Sequence, residues 1–213
     1  VLSHEINAYI ENLVPKRDDL LLEMEQYALE NHVPIMELVS IESLLQVLRL
    51  YQPKRILEIG TAIGYSSLRM AKELGAEVVT IERNEERYKQ AQRFLAQSDQ
   101  QENITLIFGD ALEAVEEANA KAPYDVIFID AAKGQYKRFF DAYTPMLSER
   151  GIVVSDNVLF KGYVTGEIQA ETRRKRSLIK KINDYNEWLM GHSDFQTAIL
   201  PIGDGIAIST QKR

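Results

Sequence analysis

Asp125-Val126-Ile127-Phe128-Ile129-Asp130 sets four consecutive apolar residues between two acids. A run without polar alternation is the pattern of a strand buried on both faces, as in the interior of a parallel sheet. Gly151-Ile152-Val153-Val154-Ser155-Asp156-Asn157 repeats the form and also ends in oxygen donors. Ligands of α/β sheets bind outside the carboxyl ends of the strands, so Asp130, Asp156 and Asn157 are expected to meet at one edge. Three hard oxygen donors suit a divalent cation such as Mg²⁺, which completes its shell with water and substrate oxygens. Taken singly, each acid is equally well read as a cap for the helix or turn that follows.

Outward from these runs, short β-rich segments alternate with longer segments of helical period, the signature of a parallel sheet built from βαβ units. Strands are predicted at 55–59, 78–82, 104–108, 126–129 and 152–155, with helices at 65–74, 85–97, 111–120 and 136–147. The first fifty residues carry helical patterns broken at Pro15 and Pro34, which predicts a cap of three helices able to cover a cofactor. A helix from about Thr172 to Met190 precedes two strands, 196–200 and 206–209, joined across Gly203-Asp204-Gly205 as a hairpin.

The chain has 213 residues, 45% of them hydrophobic, enough to bury a substantial core within one domain. We read residues 1–50 as the helical cap and 54–213 as the core of that domain. A net charge of −7 argues against wholesale coating of nucleic acid, although a local basic patch remains compatible with it. With no cysteine there is no thiolate nucleophile, disulfide framework or zinc knuckle. The start has neither a basic n-region nor an apolar h-region, and no apolar run approaches membrane-spanning length. A soluble, cytoplasmic protein with no membrane partner is the expectation.

The turn after the first strand reads Glu58-Ile59-Gly60-Thr61-Ala62-Ile63-Gly64-Tyr65-Ser66-Ser67. It lacks the G-x-G-x-x-G spacing of pyrophosphate-binding turns, since Ala62 stands at the second glycine position. Glu58 there would repel a pyrophosphate and attract an ammonium group. Glu82, at the end of the next strand and about twenty residues on, is where a carboxylate accepts ribose hydroxyls. Gly109-Asp110-Ala111 ends the third strand and offers a side-chain acceptor and a backbone amide to an adenine ring. Each feature alone also fits an ordinary turn, solvated strand end or helix cap. Their order on successive strands points to a nucleoside joined to an amino acid without phosphate, which is S-adenosylmethionine.

Leu57-Glu58-Ile59-Gly60 with Gly64-Tyr65-Ser66, Thr80-Ile81-Glu82, Gly109-Asp110-Ala111, Phe128-Ile129-Asp130 and Asp156-Asn157-Val158 together resemble the metal-dependent O-methyltransferases of the catechol and caffeoyl-coenzyme A type. The resemblance covers roughly residues 34 to 209. Val33 to Glu37, Ala131 to Tyr136 and Asn157 to Gly162 look most like the bacterial branch that methylates 5-hydroxyuridine at the tRNA wobble position. It implies a Rossmann-like class I fold: a mainly parallel seven-stranded sheet with a C-terminal antiparallel hairpin and an N-terminal helical cap. It also implies metal ligation by Asp130, Asp156 and Asn157, with Met36, Glu58, Gly60, Ser66, Glu82, Asp110, Ala111 and Asp130 around the methyl donor. Lys133 aligns with the family's general base, although Ala132 replaces the aromatic residue that precedes that lysine. A homodimer is expected by the same resemblance.

A bound Mg²⁺ would anchor two neighbouring oxygens of a substrate, whether the hydroxyls of a catechol or the 5-hydroxyl and 4-carbonyl of 5-hydroxyuridine. Arg173, Arg174, Lys175, Arg176, Lys180 and Lys181 form a dense basic stretch in an acidic chain, for which the anticodon region of tRNA is the expected partner. The same charges could instead balance Glu167, Glu171, Asp184 and Glu187 on a solvated helix face. Tyr185 and Trp188 read as core residues. His4, His32 and His192 lie in unrelated contexts without ligand spacing. A small-phenol methyltransferase is the alternative activity. A non-catalytic RNA-binding module fits less well, because the acids are intact, and a nicotinamide oxidoreductase is opposed by Ala62 and Ile63.

Overall fold

The computed structural model describes residues 4–212; positions 1–3 and 213, the outermost residues of the domain reading, lie outside them. Seven strands form one sheet: β1 (Arg55–Ile59), β2 (Glu77–Glu82), β3 (Ile104–Phe108), β4 (Tyr124–Ile129), β5 (Leu147–Ser155), β6 (Phe195–Leu200) and β7 (Ile206–Gln211). Their order is β3-β2-β1-β4-β5-β7-β6. The first five are parallel, whereas β7 runs antiparallel to both β5 and β6. This is the Rossmann-like sheet with a C-terminal hairpin that the sequence predicts. The strand order reverses between β1 and β4, so a crevice opens beyond their carboxyl ends.

Register decides what meets there. Ile59 pairs with both Ile81 and Ile129, and Ile129 pairs with Ser155. Backbone bonds from Asp130 N to Ile59 O and from Asp156 N to Ile129 O, both 3.0 Å, carry the ladder one residue further. Gly60, Asp130 and Asp156 therefore stand at one level.

The unbroken apolar runs are explained by cover on both faces. Ile56, Val126, Phe128 and Val154 pack on Leu44, Leu45 and Leu48 of α3 (Leu38–Tyr51), Leu68 of α4 (Tyr65–Leu74) and Phe94 of α5 (Glu85–Leu95). Leu57, Ile127, Ile129 and Val153 face the opposite side, onto a short α6 (Val115–Asn119), α7 (Tyr136–Tyr143) and α8 (Arg173–Met190). Full burial of each such side chain contributes about 1.5–3 kcal/mol, which outweighs the low intrinsic helicity of the polar α5 and α8. The cap consists of α1 (His4–Leu13), α2 (Asp19–Glu30) and α3, broken near Pro15 and Pro34 as read from the sequence. It is tied to the core by Arg69 of α4, which is buried and holds Glu42 of α3, Glu73 and the Tyr65 hydroxyl. No helix among the described residues is long and apolar enough to cross a membrane.

The 85–97 helix ends at Leu95, and two other predicted helices are shorter than expected by four residues or more. Residues 111–114 form turns ahead of α6 in place of the start of the 111–120 helix, with Leu112 N bonded to the Asp110 side chain at 2.9 Å and Glu113 N and Ala114 N bonded to its carbonyl. The 136–147 helix ends at Tyr143; Pro145 lies in a 3-10 turn, Thr144–Met146, and β5 begins directly at Leu147.

Candidate active site

The crevice is a cavity of about 490 Å³ lined from every parallel strand end, from the cap through Met36 and Ser40, and from the hairpin through Asp204. That volume suits a small-molecule ligand. Gly60, with φ +107°, lets the β1 turn pass against the end of β4. Among the predicted cofactor residues, Met36, Gly60, Glu82, Asp110, Ala111 and Asp130 line this cavity.

Glu82 is nearly buried yet reaches the wall. Its Oε2 accepts from Ala62 N at 2.9 Å and its Oε1 from Asn84 N at 2.7 Å. These two amides fix the carboxylate in place and leave each oxygen a lone pair for a ligand hydroxyl. Asp110 is oriented similarly by Leu112 N, and Arg83 approaches its other oxygen at 3.5 Å.

Glu58 and Ser66 are placed differently from the expectation. Neither lines the cavity, and Glu58 is fully buried one layer beneath it. In β1 it shares the face of Ile56, so it points toward α4 and not outward from the strand end. Its carboxylate accepts from the hydroxyls of Ser66, Ser67 and Thr80. Burial pushes its pKa up to about 7, against the three hydroxyls that pull it down, and Asp130 adds to the rise. Glu58 thus braces the turn, and the surface facing a ligand belongs to Gly60 and Ala62.

Asp130, Asp156 and Asn157 do converge. Asn157 Nδ2 donates to Asp130 Oδ1 at 3.0 Å, and Asp156 Oδ1 accepts from Asn157 N at 2.7 Å. Asn157 has φ +61°, a left-handed conformation that asparagine tolerates and that turns its amide back toward Asp130. Both acids are pushed well above the usual carboxylate range by burial; Asp130 raises Asp156 further, and Lys133 pulls both down. Among the described residues no three His, Cys, Asp or Glu side chains cluster as a metal site, so the set is two carboxylates and one amide. Two buried like charges side by side, with hard oxygens facing a cavity, fit a divalent cation, which would remove the penalty of ionising both.

Lys133 lies in a 3-10 turn, Lys133–Gln135, after β4 and lines the cavity beside this pair. Tyr136, next in sequence, is buried and donates to the Asp156 carbonyl at 2.9 Å, fixing the backbone of that acid. The sequence reading missed this tyrosine, whose helical position carries no signal of a partner twenty residues away. It also missed Asp204, read only as a hairpin residue. Asp204 lines the cavity and accepts from Lys161 N. Antiparallel β7 starts beside the end of β5, so its turn had to fall at this edge.

None of the six basic residues of α8 lines the cavity. Lys180 pairs with Asp184 at 2.7 Å, Lys175 bonds the Tyr163 hydroxyl, and Arg176 donates to the Ala170 carbonyl at 3.1 Å. Arg173, Arg174 and Lys181 have no such partner among the described residues.

Comparison with known proteins adds a further finding. A family model described as O-methyltransferase matches residues 11–212. Catechol O-methyltransferase of Niastella koreensis is 31% identical over 173 residues, 78% of each chain. O-methyltransferase ankF of Aspergillus thermomutatus is 30% identical over 73% of this chain and 70% of its own. A caffeoyl-CoA O-methyltransferase-like structure from Staphylococcus aureus superposes with a TM-score of 0.90 at 40% identity, covering 97% of this chain and 99% of the other. The O-methyltransferase TomG of Streptomyces achromogenes, solved in complex with SAM, does so with a TM-score of 0.83 at 26% identity over 100% of both chains.

Proposed function

The chain belongs to the O-methyltransferase family, and from that premise we propose that it carries the methyl group of S-adenosylmethionine to the 5-hydroxyl of 5-hydroxyuridine at the tRNA wobble position, with a divalent cation as cofactor. The observation that carries this reading is the convergence of Glu82 and Asp110 with Asp130, Asp156 and Asn157 on one cavity. The first two suit a nucleoside, and the last three suit a hard cation. The SAM complex of TomG supports the choice of methyl donor.

In the transfer, the bond from methyl carbon to sulfonium sulfur breaks as a bond to the substrate oxygen forms, and the hydroxyl proton departs. The protein contributes orientation and nucleophile activation. Glu82, held by Ala62 N and Asn84 N, receives the ribose hydroxyls. Asp110 and the Ala111 amide receive the adenine. Asp130, Asp156 and Asn157 would hold Mg²⁺, which when bound lowers the pKa of a hydroxyl and aligns it with a neighbouring oxygen. Lys133, on the cavity wall, would take the departing proton as a neutral amine.

The cations Arg173, Arg174 and Lys181 of α8, without ion-pair partners among the described residues, favour a polyanionic substrate. A second reading, a small vicinal diol such as a catechol, is favoured by the identity to the Niastella koreensis enzyme. Incubation with labelled S-adenosylmethionine and Mg²⁺, in parallel on tRNA bearing 5-hydroxyuridine and on catechol, separates the two. Label in tRNA is the expected result; label in catechol alone, with folded protein, overturns the RNA assignment.

A further inference from the structure

Packing divides the basic stretch of α8 into two flanks on either side of the buried stripe Ile182, Tyr185 and Leu189. One flank meets the segment 158–170: Asn186 donates to the Val158 carbonyl at 2.8 Å and Lys175 sits on Tyr163. Lys175 and Arg176 are tied to this segment through the Tyr163 hydroxyl and the Ala170 carbonyl, and Lys180 on the outer face pairs with Asp184. The other flank repeats every seven residues, Arg174, Lys181 and Trp188, and returns to the same side of the helix each two turns.

Lys181, in the middle of that second flank, stands beside the cavity wall. Lys181 reaches over Gly134, where a Cβ would stand 3.3 Å from its Cδ and 3.4 Å from its Nζ, so the lysine lies directly on this turn. The residues on either side of Gly134, Lys133 and Gln135, both line the cavity. One turn on, Lys137 stacks on Trp188 at 5.0 Å and Arg138 bonds Gln135 at 3.1 Å. Arg174 stands about 10 Å from Lys181 along α8, at 1.5 Å per residue. Among the described residues none of Lys133, Lys137, Arg138, Arg174 and Lys181 forms an ion pair with a carboxylate, although Asp141 lies on the same short α7.

We infer that this second flank, Arg174 and Lys181 together with Lys137 and Arg138 of α7, is a track for the phosphodiester backbone of single-stranded RNA whose target nucleotide enters the cavity. The inference rests on the RNA reading above and sharpens it. A strand of phosphates needs several free cations in a row leading to the reacting centre, and backbone tracking is recognised by charge and not by base. Lys175, Arg176 and Lys180 belong to the fold of the neighbouring segment and of α8 itself.

The test is fluorescence anisotropy of a labelled RNA stem-loop on the full chain over a range of salt, with Lys181→Gln, Arg174→Gln, Lys180→Gln and Arg176→Gln. The first two variants are expected to weaken binding several-fold, and each to flatten the slope of log affinity against log salt by about 0.7, the value for one lost contact on a single strand. Lys180→Gln and Arg176→Gln are expected to change both far less, and Lys181→Arg to restore binding. Equal losses from both pairs, or none from Lys181→Gln, overturn the track. In the transfer assay Lys181→Gln should raise KM for tRNA with kcat held. If tRNA is never methylated, the activity reading fails while anisotropy still judges the track. If tRNA is methylated and Lys181→Gln behaves as wild type, the activity stands and the track falls.

Discussion

A Cβ on Gly60 would lie 2.1 Å from the carbonyl oxygen of Asp130, so the β1 turn and the end of β4 touch backbone to backbone at the cavity floor. This contact sets the turn proposed to face the methyl donor against an acid proposed to hold the cation, and it exists only because position 60 carries no side chain. Gly60→Ala must both adopt φ +107° and displace the Asp130 peptide. We expect a loss of about 2 kcal/mol or more in chemical denaturation, with binding of S-adenosylmethionine weakened in parallel. Wild-type stability of Gly60→Ala would refute the contact.

Glu82 is held by two backbone amides and presents its remaining lone pairs to the cavity. Glu82→Ala is predicted to weaken cofactor binding, measured by calorimetry, by about 1.5–3 kcal/mol for each lost hydrogen bond to the charged group. Affinity unchanged within twofold would remove Glu82 from the nucleoside site.

Asp156 shares buried space with Asp130, and both carboxyls resist ionisation. In chelator, Asp156→Asn should melt at or above the wild-type temperature, because it removes a buried carboxyl that is costly to ionise beside Asp130. With Mg²⁺ at a hundred times its dissociation constant, the wild type should gain about 2.7 kcal/mol by linkage. The variant should gain little of it. An equal gain in both proteins would place the cation elsewhere.

Glu58 titrates near pH 7 in the folded protein, against an ordinary value of 4.5. The fold therefore prefers its protonated form, so its contribution to stability is fully present below pH 4.5 and is lost as pH rises through about 7. The loss is at most about 3 kcal/mol, at 1.36 kcal/mol per unit of pKa. Glu58→Gln cannot ionise. Its urea midpoint relative to wild type should climb between pH 5 and pH 7.5 and then level off; a constant difference across that range would contradict the assignment.

The strands were legible because burial on both faces leaves a continuous apolar signature, as in Val126 to Ile129, and because polar residues collect where such strands stop. Asp130, Asp156, Asn157, Glu82 and Asp110 were found by that rule, and all five line one cavity. Glu58 does not line it. Position within a strand sets the face a side chain takes, and Glu58 stands two residues before the turn, on the side of α4 and its serine hydroxyls. The short α6 was hidden because the bond from Leu112 N to the Asp110 side chain caps a turn here in the same way as it would cap a helix.

The sequence by itself determined the order of strands and helices, the acids at the strand ends and the density of positive charge on α8, since all of these depend on spacing along one chain. Only the tertiary structure decided that Glu58 braces the turn from below, that Tyr136 and Asp204 join the site, and that Arg174 and Lys181 are free while Lys175, Arg176 and Lys180 are taken. The physical reason is that a helix specifies the angles between its own side chains and nothing of what faces them. Which cations remain unpaired beside the cavity is settled by the segments packed on either flank of α8.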